Sequence, residues 1–308
     1  MQRENEGELK EMTKDSNVLT LRTLLGDYPN TLALKKGEVR PDRIAFDFAD
    51  VKVPNTAFKD VVRHLKYDVA ELAIVTYLQA KAHGKPLVLL PVVVVGTLPH
   101  PFLVYNADRG PITPAGLKGR RVGIRAFSVT TAAWLRGILQ NDHGVDLDSI
   151  KWVTFEDPHV AEYQDPATAE RAPAGKQLVQ MLLDGEIDAG VVGGPDLKEP
   201  RFRPVIVNPS EAAQAWSQRH GVLPINHMVV VKESLIKSNP DTVKEIYRVL
   251  RESKKAAPKS AGLDTLQFGI DAIRRSLEFI IQYSVQQKLI PRKFEVDELF
   301  GEVTRRLN

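Results

Sequence analysis

The order in which β-type runs and amphipathic segments follow one another constrains this chain most. Between residues 18 and 95, β-type runs at 18–25, 44–49, 69–75 and 87–95 are interleaved with helical patterns at 30–36, 57–65 and 77–82. Such alternation predicts a mostly parallel sheet covered by helices. The pattern stops at a Pro- and Gly-bearing stretch, 106–114, and then restarts. Strands predicted at 121–124, 151–154 and 189–192, with helices at 130–141 and 176–183, build a second α/β unit. A run at 203–207 and a helix at 209–219 follow, and a strand at 225–231 is placed to return the chain to the first unit. Apolar residues at three-to-four spacing then predict helices at 241–253, 263–287 and 296–307.

The expected fold class is therefore α/β, with two Rossmann-like lobes, an interlobe cleft and C-terminal helices. Lobe 1 is expected to comprise 18–98 and 225–308, lobe 2 to comprise 99–224, and 1–17 to form a disordered tail. The segments 66–73 and 185–192 echo each other: a helix ends, an Asp follows and a buried strand begins. The match is too short to establish a duplication.

Composition removes several functions. Among 308 residues there is no Cys, which excludes disulfides, thiolate catalysis and Cys-ligated zinc. The net charge of +3 is spread over 42 basic and 39 acidic residues without a basic face or motif, so no nucleic-acid partner is expected. The longest apolar run, 87–95, is broken by Pro91 and too short to cross a bilayer, so no membrane span is expected. The charged first seventeen residues lack the apolar core of a secretory signal, and the expected location is cytoplasmic.

Ligand-binding chemistry concentrates in 116–139, which reads as strand, polar turn and amphipathic helix. Helix-start N–H groups, the hydroxyls of Ser128, Thr130 and Thr131, and the planar fork of Arg125 make an anion cradle, with an ordinary capped helix as the alternative. Open α/β sheets bind ligands at strand carboxyl ends. That rule adds Asp27, Tyr28, Thr76, Tyr77 and Gly194 as expected substrate contacts. For proton transfer, His100 in a Pro-flanked crossing segment and His227 at the start of the returning strand are the catalytic candidates. Interlobe hydrogen bonding is the alternative for both. Glu71, a carboxylate inside an apolar strand, is the third candidate, with a buried ion pair equally open. His64, His83, His143, His159 and His220 are expected to be solvated, Trp134 to lie in the core and Arg136 on the surface. No metal-site spacing appears, which leaves a scattered site open.

Several segments carry a resemblance. They are Gly26-Asp-Tyr28, Tyr67-Asp-Val-Ala-Glu-Leu72 with Tyr77-Leu-Gln-Ala-Lys81, Leu117-Lys-Gly-Arg-Arg-Val-Gly123, Thr131-Ala-Ala-Trp-Leu-Arg-Gly-Ile-Leu139, Ile150-Lys-Trp-Val-Thr154 and Pro224-Ile-Asn-His227. Together, over residues 19–255, they resemble the 4,5-dihydroxyphthalate decarboxylase family within the type II periplasmic-binding-protein-like superfamily. The Leu117–Gly123 run is shared by many solute receptors, whereas the Thr131–Leu139 run is narrower. Gly193-Gly-Pro195 and Arg125-Ala-Phe-Ser128 depart from the family pattern, which leaves the exact substrate open. The resemblance implies decarboxylation of a hydroxylated aromatic dicarboxylate without an organic cofactor, with His at the positions of His100 and His227. The alternative is a solute-binding protein for a small anionic ligand. The partner expected in either case is a small anionic aromatic molecule, and the C-terminal helices are expected to pack on lobe 1 or serve a homo-oligomer contact.

Overall fold

The computed structural model describes residues 18–259 and 262–308, so the expected tail at 1–17 lies outside the described residues. Strands β1 (Leu19–Leu24), β2 (Ile44–Phe48), β3 (Val69–Ala73) and β4 (Leu87–Gly96) alternate with helices α1 (Pro29–Lys35), α2 (Phe58–His64) and α3 (Ile74–Ala82). Next come β5 (Leu103–Asn106), β6 (Arg121–Ile124), α4 (Thr130–His143), β7 (Lys151–Thr154), β8 (Ala169–Arg171) and α5 (Leu178–Asp184). Then β9 (Ala189–Val191), β10 (Phe202–Pro204), α6 (Pro209–His220) and β11 (Ile225–Lys232) follow. Helices α7 (Glu233–Ser238), α8 (Pro240–Ala256), α9 (Ile270–Gln286) and α10 (Glu302–Arg305) complete the chain.

Two sheets result, ordered β2-β1-β3-β11-β4 and β10-β5-β9-β6-β7-β8. In the first, β11 runs antiparallel between β3 and β4. In the second, β5 runs antiparallel between β10 and β9. The antiparallel strand of each sheet is thus the one that follows the chain's passage from the other sheet. Central strands covered on both faces read as near-continuous apolar runs, and β3 buries all five of its residues, the acidic Glu71 among them.

The echo between 66–73 and 185–192 corresponds to one repeated hydrogen-bonding device. Each helix ends in a left-handed residue, Leu65 after α2 and Gly185 after α5. The Asp that follows then accepts from a backbone N–H of the neighbouring strand: Asp68 accepts from the Arg22 N–H at 2.9 Å, and Asp188 accepts from the Arg121 N–H at 2.8 Å. A basic side chain pairs with each, Lys232 with Asp68 and Arg120 with Asp188.

Two expectations are corrected at the C-terminal end, and two short strands were not expected. The helix expected over 263–287 begins at Ile270, because the residues before it run along β4. Val93 N–H donates to Gln267 O, Gly269 N–H donates to Pro91 O, and Phe268 bridges Val92. This covers an edge strand whose Pro91 has no N–H to offer. The helix expected over 296–307 is a short turn at Val296–Leu299 followed, after Gly301, by α10. Strands β5 and β8, four and three residues long, carry too little periodicity to be predicted.

Helix α4 is held by α9 through a glycine. A Cβ at Gly137 would fall 2.0 Å from the Tyr283 ring, a contact neither helix can accommodate without shifting. Replacing Gly137 by Ala is therefore expected to destabilise the protein by about 1–3 kcal/mol, the usual cost of overpacking. Urea unfolding measures this, and an unchanged midpoint would contradict the packing described.

Candidate active site

The site begins with a carboxylate in the middle of a sheet. Glu71 on β3 is fully buried, and an ionised carboxylate there requires several donors to offset its lost hydration. The fold supplies them from two places, the turn after β1 and strand β11. The Gly26 N–H donates to Oε2 at 2.6 Å, the Tyr28 hydroxyl donates to Oε1 at 2.8 Å, and His227 Nδ1 lies 2.9 Å from Oε1. Gly26 and Tyr28 follow β1, the parallel neighbour of β3. His227 stands on β11, opposite Ala73, so it shares the face of Glu71 as a diagonal neighbour. Gly26 must be glycine, since a Cβ would lie 2.5 Å from the Tyr28 ring. Burial, followed by the adjacent Glu71 charge, pushes the Tyr28 hydroxyl far above its usual range, so Tyr28 acts here as a fixed donor.

Because a carboxylate only accepts, the proton between Glu71 and His227 resides on Nδ1. The other ring nitrogen, Nε2, is then the one left to react. His227 lines a cleft of about 640 Å³, within the range of small-molecule sites.

The opposite wall is the start of α4. Its N-cap is Val129, which offers no side-chain cap, so the N–H groups of Thr130, Thr131 and Ala132 have no partner within the helix. Val129, Thr130, Thr131 and Ala132 all line the cleft. The hydroxyl oxygens expected to serve the ligand bind the protein as well: Thr130 Oγ1 accepts from Val75 N–H, and Thr131 Oγ1 accepts from Asn226 Nδ2. With Trp134 Nε1 donating to Ile225 O, these bonds tie α4 to α3 and β11. Arg125 lines the cleft and donates to Glu156 at 2.8 Å. Gly194 lines it too, in the left-handed conformation.

Other expected site residues lie elsewhere. His100 is 2% exposed, sits edge-on to Trp216, and is absent from the cleft lining. Burial pushes its pKa down to about 4. Asp27 is exposed and pairs with Lys35, and Tyr28 supports Glu71 from behind the cleft. Tyr77 is buried and donates to Leu299 O. Ser128 is buried in the turn before α4 and does not line the cleft. Arg136, expected on the surface, is 1% exposed. It donates to Phe127 O and Gln287 Oε1 and so braces that turn. Trp134 lies in the core, as expected.

The residue that sequence reasoning missed is His159. Expected to be solvated, it is 6% exposed and lines the cleft. Its Nδ1 lies 2.8 Å from Thr76 Oγ1, which places Thr76 behind the site as a support. The Phe58 ring meets both His159 and His227 edge-on, at 5.5 and 5.0 Å between centroids. Burial, then the positive charge of Arg125, pushes the His159 pKa down to about 3. Among the described residues no three His, Asp or Glu side chains gather as metal ligands would. No helix among them is long and apolar enough to cross a membrane.

Comparison with known proteins follows the same lines. No protein-family model matches the chain. It is 29% identical to 4,5-dihydroxyphthalate decarboxylase of Comamonas testosteroni, covering 94% of both chains. It is also 29% identical to the enzyme of that name from Pseudomonas putida, over 65% of this chain and 82% of that one. Among solved structures, the alkanesulfonate-binding protein SsuA of Xanthomonas axonopodis pv. citri bound to MOPS superposes with a TM-score of 0.59 at 13% identity, covering 92% of this chain and 98% of that one. The desulfurization enzyme DSZB superposes with a TM-score of 0.57 at 17% identity, covering 93% and 97%. These findings bear out the resemblance to the 4,5-dihydroxyphthalate decarboxylase family and the type II periplasmic-binding-protein fold. The names of both curated relatives support a carboxy-lyase.

The buried histidines make stability depend on pH. His100 and His159 have folded pKa values of about 4 and about 3, both below the ordinary 6.5. Between those limits the unfolded chain binds more protons, so their contribution is complete above about pH 6.5 and is lost as pH falls. Unfolding free energy measured in urea should hold steady near pH 7.5 and decline toward about pH 5. A constant value across that interval would contradict neutral burial.

Proposed function

We propose that this chain decarboxylates a hydroxylated aromatic dicarboxylate, with 4,5-dihydroxyphthalate going to 3,4-dihydroxybenzoate and carbon dioxide as its reaction. The observation that carries the reading is the buried Glu71–His227 pair, which directs a ring nitrogen toward a cleft whose far wall is an uncapped helix start. Similarity to a named decarboxylase along 94% of the chain supports it.

Both ends of such a substrate have a complementary wall. One carboxylate sits on the N–H groups of Thr130–Ala132, aided by the Thr130 and Thr131 hydroxyls, and Arg125 takes the other. His227 Nε2 removes the proton of the hydroxyl para to the departing carboxylate, and Glu71 stabilises the imidazolium that forms. The phenolate pushes electrons into the ring, and the carbon bearing the carboxylate takes a proton from solvent. The bond to that carboxylate then breaks, carbon dioxide leaves, and its electron pair restores the aromatic ring. His227 returns its proton to the phenolate oxygen. The ring itself holds the electrons throughout. His159, kept neutral by burial, offers a hydrogen bond to the neighbouring hydroxyl and serves as no acid near neutral pH.

Incubation with 4,5-dihydroxyphthalate tests this reading through carbon dioxide release. Wild-type protein is expected to turn over, and His227→Asn to lower kcat by about a hundredfold or more with little change in KM. Tight binding without turnover would replace the decarboxylase by a solute receptor. Full activity in His227→Asn would remove His227 from the chemistry.

A further inference from the structure

Arg125 and Glu156 meet on the cleft wall, and the backbone keeps them there. The N–H groups of Phe155 and Glu156 both donate to the Arg125 carbonyl, at 3.0 and 2.7 Å. The turn after β6 and the loop after β7 are thereby locked together. On that frame Arg125 Nη1 donates to Glu156 Oε2 at 2.8 Å, with the two side chains 34% and 46% exposed. A pair this open to solvent contributes about 0–1 kcal/mol and is readily exchanged for another.

The charge balance gives this pair a consequence. Among the described residues lining the cleft, Arg125 is the single Lys or Arg, while Glu156 and Asp196 are both acidic. An entering anion therefore meets a guanidinium that is already neutralised. One carboxylate is satisfied at the start of α4 without disturbing the pair. A second carboxylate on the adjacent ring carbon needs the guanidinium, and Glu156 has to give it up.

We propose that Glu156 is a specificity-determining residue: it occupies Arg125 in the empty cleft, yields it to the second carboxylate of a vicinal aromatic dicarboxylate, and retakes it once a monocarboxylate remains. This rests on the reading of the ligand as an aromatic dicarboxylate. Glu156 is thereby a built-in competitor for the second carboxylate, whereas a monocarboxylate seated at the start of α4, the decarboxylated product included, leaves the Arg125–Glu156 pair undisturbed. No bond is made or broken in the exchange.

Calorimetric binding of phthalate and benzoate, which lack the hydroxyls needed for turnover, tests the proposal. Glu156→Gln is expected to tighten phthalate by about fivefold, the upper end for an exposed pair, and to leave benzoate nearly unchanged. Arg125→Gln should weaken phthalate, and the double variant should match Arg125→Gln because Glu156 acts through Arg125. Phthalate affinity that is unchanged or weaker in Glu156→Gln would overturn the proposal. So would an equal gain for benzoate, which would mark a general charge effect, or a failure of phthalate to bind either protein. Circular dichroism of each variant separates these outcomes from misfolding. A chain that binds as expected but leaves 4,5-dihydroxyphthalate unchanged would lose the decarboxylase reading and keep this one.

Discussion

A carboxylate buried in the centre of a sheet is the constraint around which the site is arranged. Glu71 is fully enclosed, and removing an ion of that kind from water costs several kcal/mol. Hydrogen bonds to a charged group return about 1.5–3 kcal/mol each, so the Gly26 N–H, the Tyr28 hydroxyl and His227 together offset the burial. Two of these partners come from the turn after β1 and the third from β11, far along the chain. The turn after β1, the β3 register and the returning strand β11 must all be correct before the carboxylate is satisfied. The same arrangement fixes which His227 nitrogen is free, and so connects strand pairing to chemistry.

The cleft inherits its second wall from helix geometry. The start of α4 has no side-chain cap, and its nearest hydroxyl oxygens accept from Val75 and Asn226, which leaves their O–H groups to donate. These bonds, with Trp134 on Ile225, fasten the helix to the first sheet. Behind the turn, the buried Arg136 holds the Phe127 carbonyl while Gln287 holds Arg136. Burial lowers the Arg136 pKa to about 10, so it stays charged at neutral pH. The cradle is therefore preorganised from both sides, and the ligand does not have to order it.

Much of this was legible in the sequence, for definite reasons. Alternating apolar periods placed most of the strands and helices, because burial on a sheet or helix face leaves its spacing in the residues. Glu71 stood out as an acid in an apolar strand, and His227 through the strand that carries it. The Gly26-Asp-Tyr28 motif was visible but its role was inverted: Tyr28 supports Glu71 and Asp27 faces solvent, a distinction that depends on side-chain direction after β1. His159 lines the cleft that His100 was expected to border, and His100 is buried away from it. The run around His159 reads as a polar loop, and its partner Thr76 is 83 residues away, so no local spacing signals burial. His100 sits between prolines in the segment after β4, but it packs against Trp216 of α6 and lies outside the cleft lining.

The central claim is that Glu71 fixes the protonation pattern of His227 and leaves Nε2 bare toward the cleft. Nitrogen-15 NMR of histidine-labelled protein at neutral pH, with His227 assigned through His227→Asn, reads that pattern directly. The account predicts a protonated Nδ1 and a pyridine-like Nε2, with this preference lost in Glu71→Gln. A proton on Nε2 with a bare Nδ1 in the wild-type protein would contradict it.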